Sequence, residues 1–85
     1  MYEWDEGKRQ INLAKHGVDF NAMESFEWET AVEAADNRHD EPRWVAIGFI
    51  GLQLHVVVYT VRNHAVRIIS LRKATPQERM RYAKT

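Results

Sequence analysis

The sequence contains no cysteine. That excludes disulfides, thiolate zinc ligands and a cysteine nucleophile, and leaves packing to hold the fold together. A reducing compartment, the cytoplasm, suits such a chain. No apolar run is long: the longest, Leu54 to Val61, is broken by His55 and falls far short of the ~20 residues that a membrane-spanning helix needs. The start is crowded by Glu3, Asp5 and Glu6, unlike the positively charged opening of a secretory signal. A glycine-rich phosphate loop and a nucleophile elbow are both missing. His39 and Asp40, with Asp36, His55 and His64, follow no known ligand spacing, so no metal and no other cofactor is expected. Net charge is lacking too, because 12 Lys and Arg balance 12 Asp and Glu, which argues against coating nucleic acid by bulk attraction.

What is present is unevenly placed. Residues 1–42 hold four basic against eleven acidic side chains, and residues 43–85 hold eight against one, so the halves carry −7 and +7. A chain of 85 residues with 45% hydrophobic content forms one compact domain, residues 1–85. Its halves must fold together, which sets a basic surface suited to a polyanion beside an acidic one. Mutual attraction of the halves across the fold is the plainer account of the same asymmetry.

Local patterns predict the elements. Met1–Trp4 suits an opening strand, Asp5 caps a helix from Glu6 to His16, and Gly17 ends it. Ile11, Leu13 and Ala14 with Val18 are expected on the buried side of that helix, and Lys8, Arg9, Asn12, Lys15 and His16 on the solvent side. Asp19 caps a second helix over Phe20–Phe26, and Thr30–Ala35 is a weak strand. Three strong strands follow, Arg43–Ile50, Leu54–Thr60 and Ala65–Lys73, with links too short for anything but antiparallel hairpins. Thr75, Pro76 and Glu78 form a capping box with proline at the first helical position, opening a last helix to Lys84. The expected fold is α+β, a curved antiparallel sheet with helices packed on one face and a short C-terminal helix.

The strand Ala65–Lys73 carries four hydrophilic side chains, Arg67, Ser70, Arg72 and Lys73. Strict alternation sends Ser70 and Arg72 one way and Arg67 and Lys73 the other, so neither face is uniformly apolar. An unpaired buried guanidinium costs several kcal/mol, so these arginines must be ion-paired or open to a cleft. For Arg67 an acidic partner such as Glu27 or Glu33 serves as well as a functional role. Just beyond, Glu78, Arg79 and Tyr82 are expected on one exposed flank of the last helix. Cleaving a phosphodiester without metal requires a base for the 2′-hydroxyl, cations for the growing phosphate charge and a proton donor. Arg72 and Arg79 gathered in one pocket suit the phosphate, and Glu78 or His16 the base. Glu78 is equally explained as a capping residue. Lys8, Lys15 and His16 on the first helix suit flanking phosphates, or simply form a solvated face.

Three blocks of residues closely resemble the BrnT toxins within the RelE-like ribonuclease superfamily. The first is Trp4-Asp5, Lys8, Asn12, Lys15-His16-Gly17-Val18 and Phe20; the second is Arg43 with Ile47-Gly48; the third is Arg67-Ile68-Ile69-Ser70, Arg72-Lys73-Ala74, Glu78-Arg79 and Tyr82. The resemblance implies a RelE-like fold and translation inhibited by RNA cleavage. It also implies neutralisation by an antitoxin of the BrnA kind in a hetero-oligomer, with operator DNA contacted only through that antitoxin. As site residues it implies Lys8, His16, Arg67, Ser70, Arg72, Lys73, Glu78, Arg79 and Tyr82. The alternative is a module that binds a partner or nucleic acid without catalysis, such as a degenerate toxin kept for operon autoregulation.

Overall fold

The computed structural model describes residues 1–85. In chain order the elements are β1 (Tyr2–Glu3), α1 (Glu6–His16), 3₁₀ segments at Phe20–Ser25 and Trp28–Thr30, β2 (Val32–Asp36), β3 (Arg43–Ile50), β4 (Gln53–Arg62), β5 (Ala65–Lys73) and α2 (Pro76–Ala83). Asp5 caps α1 by accepting from the Lys8 N–H at 3.0 Å, and Gly17 closes it in the left-handed region at φ 71°. The segment expected to be a second helix is 3₁₀ instead. Its apolar residues Phe20, Met23 and Phe26 recur every third position, the repeat of a 3₁₀ turn, and all three are buried. Asn63 and His64 form the two-residue turn between β4 and β5, both at positive φ, as a tight hairpin requires.

The five strands form one sheet in the order β1-β5-β4-β3-β2. The sheet is mixed, not purely antiparallel, because β1 runs parallel to β5. The short-link argument holds for β2 to β5, whose neighbours pair antiparallel. It does not reach β1, which is separated from β5 by most of the chain, long enough for a crossover.

The helices do not share a face either. One face of the sheet presents Ala46, Val57, Tyr59, Ile68 and Leu71 and is covered by Val18, Phe20, Met23 and Phe26 from the segment after α1. Gly48 admits the Phe26 ring there: a Cβ on Gly48 would lie 2.7 Å from Phe26 Cζ. On the other face Leu54, Val56 and Ala74 form a smaller cluster with Phe49 and Tyr82 of α2. The chain leaves β5 through Ala74, whose N–H donates to the Leu54 carbonyl at 2.9 Å, and α2 then turns onto this second face. Most of that face stays open, since α2 covers only one end.

The first helix also departs in part from the expected amphipathic reading: Val18 is buried and Lys8 and Lys15 are exposed as expected, but Ile11, Leu13 and Asn12 break the pattern. Ile11 is 68% and Leu13 40% exposed, whereas Asn12 is 6% exposed. The reason is an edge. Because β1 pairs only with Val66 and Arg67, β5 has unpaired backbone at Leu71, and α1 lies along it. The Asn12 amide donates to the carbonyls of Leu71 at 2.7 Å and Val18 at 3.0 Å and accepts the Leu71 N–H at 3.1 Å. One side chain thereby substitutes for a neighbouring strand.

Candidate functional site

The site is built on β5. In a regular strand Arg67 and Arg72 point to opposite faces. Here Arg72 pairs with Val56 and Ser70 with Val58, then Ile69 is skipped, and Ile68 pairs with Tyr59 and Arg67 with Thr60. Ile69 is the extra residue of a β-bulge. Since Val56, Val58 and Thr60 alternate regularly on β4, their partners Arg72, Ser70 and Arg67 share one face. The opposite face receives Ile68 and Leu71 for the core. Neither face is uniformly apolar, as expected, since Lys73 pairs with His55 on the Leu71 side, but Arg67 changes sides because alternation has to be counted around Ile69. The shared face is the one left open by α2.

Both arginines that β5 contributes to it have a partner. Arg67 donates to Glu3 at 2.9 Å, a residue of the acidic half as expected, but brought by the parallel strand β1 instead of being Glu27 or Glu33. Arg72 makes a bidentate pair with Glu78, at 2.8 and 2.9 Å, and a further bond of 3.3 Å to the Lys73 carbonyl. That leaves the Arg72 Nε–H and one Nη2–H uncommitted on the outer edge of the fork. Glu78 also accepts from the Thr75 N–H at 2.8 Å, completing the capping box. The Arg72 hydrogen bonds, with the Thr75 N–H and the Arg72 charge adding, hold the Glu78 carboxyl down at about 2 from a usual 4.5, against the opposing effect of burial. Such a carboxylate accepts a proton poorly at neutral pH. Glu78 fixes the Arg72 fork; it is badly placed to act as the base.

Arg79 does not join Arg72. It donates to the Ala74 carbonyl at 3.2 Å and lines a separate depression with Lys73, Phe49 and Leu52. The adjacent positions Glu78 and Arg79 project to different sides of α2, so the expected single flank of Glu78, Arg79 and Tyr82 is split. Tyr82 docks α2: its ring meets Phe49 edge-on at 5.7 Å and its hydroxyl donates to the Thr30 carbonyl at 2.7 Å. With Glu78 and Arg81 it walls a largely apolar groove of about 400 Å³ over Val32, Val45, Ile47 and Val56.

The basic residues of α1 come together elsewhere. Lys8, Lys15 and His16 line a depression of about 180 Å³ against Ile69 and Ser70. Ser70 belongs to both places, facing the Arg67 and Arg72 side of the sheet while bordering the α1 depression. Of the carboxylates and imidazoles in the acidic half, His39 approaches Asp36 at 3.7 Å without a third ligand-type side chain beside them.

One further observation bears on identity: residues 4–78 match the family described as the ribonuclease toxin, BrnT, of type II toxin-antitoxin systems. The chain belongs to the BrnT family. No individually curated protein matches it. The family match ends at Glu78, so within this BrnT chain it includes all of β5, the bulge and the ion pair of Arg72, while Arg79 and Tyr82 lie outside it. No helix is long and apolar enough to cross a membrane.

Two residues of this BrnT chain escaped a purely sequential reading. Asn12 looked like a solvated helix position, and only the bare edge of β5 gives it a task. Arg43 begins β3 and shares the open face with Arg67; it belongs to the second block of the family resemblance, but its sequence neighbourhood assigns it no chemistry.

Proposed function

We propose that this chain is a metal-independent endoribonuclease with a RelE-like fold, held inactive in the cytoplasm by an antitoxin of the BrnA kind. The antitoxin, and not the toxin, contacts operator DNA. The reading rests on one observation: Arg67, Ser70 and Arg72 share an open sheet face that adjoins the depression holding Lys8, Lys15 and His16. Basic groups from two elements thus border a single stretch of surface.

In this mechanism the free Nε–H and Nη2–H of Arg72 bind the scissile phosphate and offset the charge that grows on it. Arg67 holds an adjoining phosphate. His16 takes the 2′-hydroxyl proton, the 2′-oxygen forms its bond to phosphorus, and the bond from phosphorus to the 5′-oxygen breaks. The leaving oxygen takes a proton from a solvent water, protonated His16 returns its proton to solvent, and the products are a 2′,3′-cyclic phosphate and a 5′-hydroxyl. Ser70 donates to a phosphate oxygen, Lys8 and Lys15 bind the flanking backbone, and Glu78 positions Arg72. Lys73 and Arg79, on the far depression, contact RNA away from the reacting bond.

Purified protein incubated with RNA in excess chelator tests this. The expected result is fragments ending in cyclic phosphate, with Arg72→Ala remaining folded and cleaving at least ~10²-fold more slowly, the usual loss when one charge-stabilising donor is removed. RNA that is retarded in a salt-dependent manner but left intact would establish the non-catalytic binding module instead. Cleavage that appears only with added divalent cation refutes metal independence, and toxicity unrelieved by the adjacent gene product refutes antitoxin control.

A further inference from the structure

The open face carries a charged row that crosses every strand. Asp36 of β2 pairs with Arg43 of β3, and Arg43, next to the Trp44 that pairs with Tyr59, stands opposite Thr60 of β4. Thr60 pairs with Arg67 of β5, and Arg67 with Glu3 of β1. The carboxylates around this row are already committed. Asp36 accepts two bonds of 2.9 Å from Arg38, Glu41 accepts from Arg62 at 2.5 Å, and Glu3 from Arg67 at 2.9 Å. Arg43 takes part in none of the ion pairs, and its Nε–H is buried without an acceptor. A buried donor left in that state costs about as much as a lost hydrogen bond; with no accessible surface it is out of a ligand's reach, so contact with a phosphate falls to the Nη groups. The remainder of Arg43 is only half-buried.

We propose that Arg43 is a phosphate-binding residue that extends the RNA path beyond Arg72 and Arg67 across the sheet. The inference rests on the RNA-cleaving reading above. Strands lie ~4.8 Å apart and rise ~3.3 Å per residue. Arg43, two strands from Arg67, is therefore about 10 Å from it, and Arg72, four β4 residues along, is about 13 Å from Arg67. Three arginines rooted at these backbone spacings on one face exceed what a single phosphate needs. Their states differ. Arg67 and Arg72 meet RNA with carboxylates already attached, whereas Arg43 binds a phosphate without displacing a neighbour.

Binding of a 2′-O-methyl oligoribonucleotide, which cannot supply the attacking hydroxyl, separates this role from catalysis. For a single strand each phosphate contact adds about 0.7 to the slope of log affinity against log salt. Removing one should flatten the slope by about 0.7 and weaken binding about fourfold at 0.15 M salt, with the difference vanishing near 1 M. We expect that for Arg43→Gln, and a near wild-type slope for Arg43→Lys. Should Arg43→Gln melt well below the wild type, Arg43→Met, which keeps the stem, is read in its place. An unchanged slope in the neutral variant overturns the proposal, as does a Lys variant whose slope falls as far as that of Gln. Failure of the wild type to bind the probe or cleave RNA overturns the RNA reading itself. Cleavage intact with Arg43 indifferent overturns only this inference.

Discussion

Replacing Asn12 by alanine tests whether α1 is held to the sheet by an amide or by its apolar residues. The Asn12 side chain makes three hydrogen bonds, two to Leu71 and one to Val18, and is 6% exposed. Alanine removes all three and leaves a buried N–H and two carbonyls to find water or go without. Each such group costs ~1–3 kcal/mol, and water reaching the strand edge recovers part, so roughly 2–4 kcal/mol is expected in total. For a domain of this size that lowers Tm by roughly 10–25 °C. The control is Ile11→Ala, which alters a residue 68% exposed on the same helix and should change stability by no more than about 0.5 kcal/mol. Urea unfolding followed by tryptophan fluorescence measures both. An Ile11→Ala variant that loses more stability than Asn12→Ala would refute the edge-capping argument and restore the expected amphipathic helix. Asn12→Asp sharpens the test, since a carboxylate still accepts the Leu71 N–H but faces two carbonyls it cannot satisfy.

Glu78→Gln should lower cleavage by loosening the Arg72 fork, and its effect on stability should depend on pH in a defined direction. The Glu78 carboxyl is held at about 2 against 4.5, so its ionised form stabilises the fold fully above about 4.5, and that contribution disappears as pH falls through about 2. Unfolding titrations of wild type and variant should converge over that window; a constant difference from pH 7 to 2 refutes the ion-pair account. Gly48→Ala places a methyl 2.7 Å from Phe26 Cζ and should cost about 1–3 kcal/mol through displacement of the ring. An unchanged melting temperature would show that the Phe26 cover over β3 adapts freely.

The division of β5 into two faces has a consequence for the edges of the sheet. The bulge at Ile69 lies beside the depression that α1 forms with Ser70, and the Asn12 bonds fix α1 at that place. Stability and site geometry are thus linked through one helix: an Asn12 variant that still folds should cleave less well, because Lys8, Lys15 and His16 lose their register against Ser70.

Interactions within a few residues of one another were legible from the sequence. The Asp5 and Thr75 caps, the left-handed Gly17, the hairpins from β3 to β5 and the segregation of charge between the halves all depend on neighbours along the chain, so composition and spacing reveal them. The resemblance of three ordered blocks likewise pointed to the BrnT family before any geometry. The tertiary structure alone decided the rest. The parallel seat of β1, the turn of α2 onto the second face, the separation of Arg79 from Arg72 and the row holding Arg43 all join residues far apart in sequence. Alternation along a strand assigns faces only while every residue is paired, and Ile69 is not. For the same reason Asn12 read as a surface residue: a polar side chain is worth burying only where an unpaired strand edge waits for it, and that edge belongs to Leu71, at the other end of the chain.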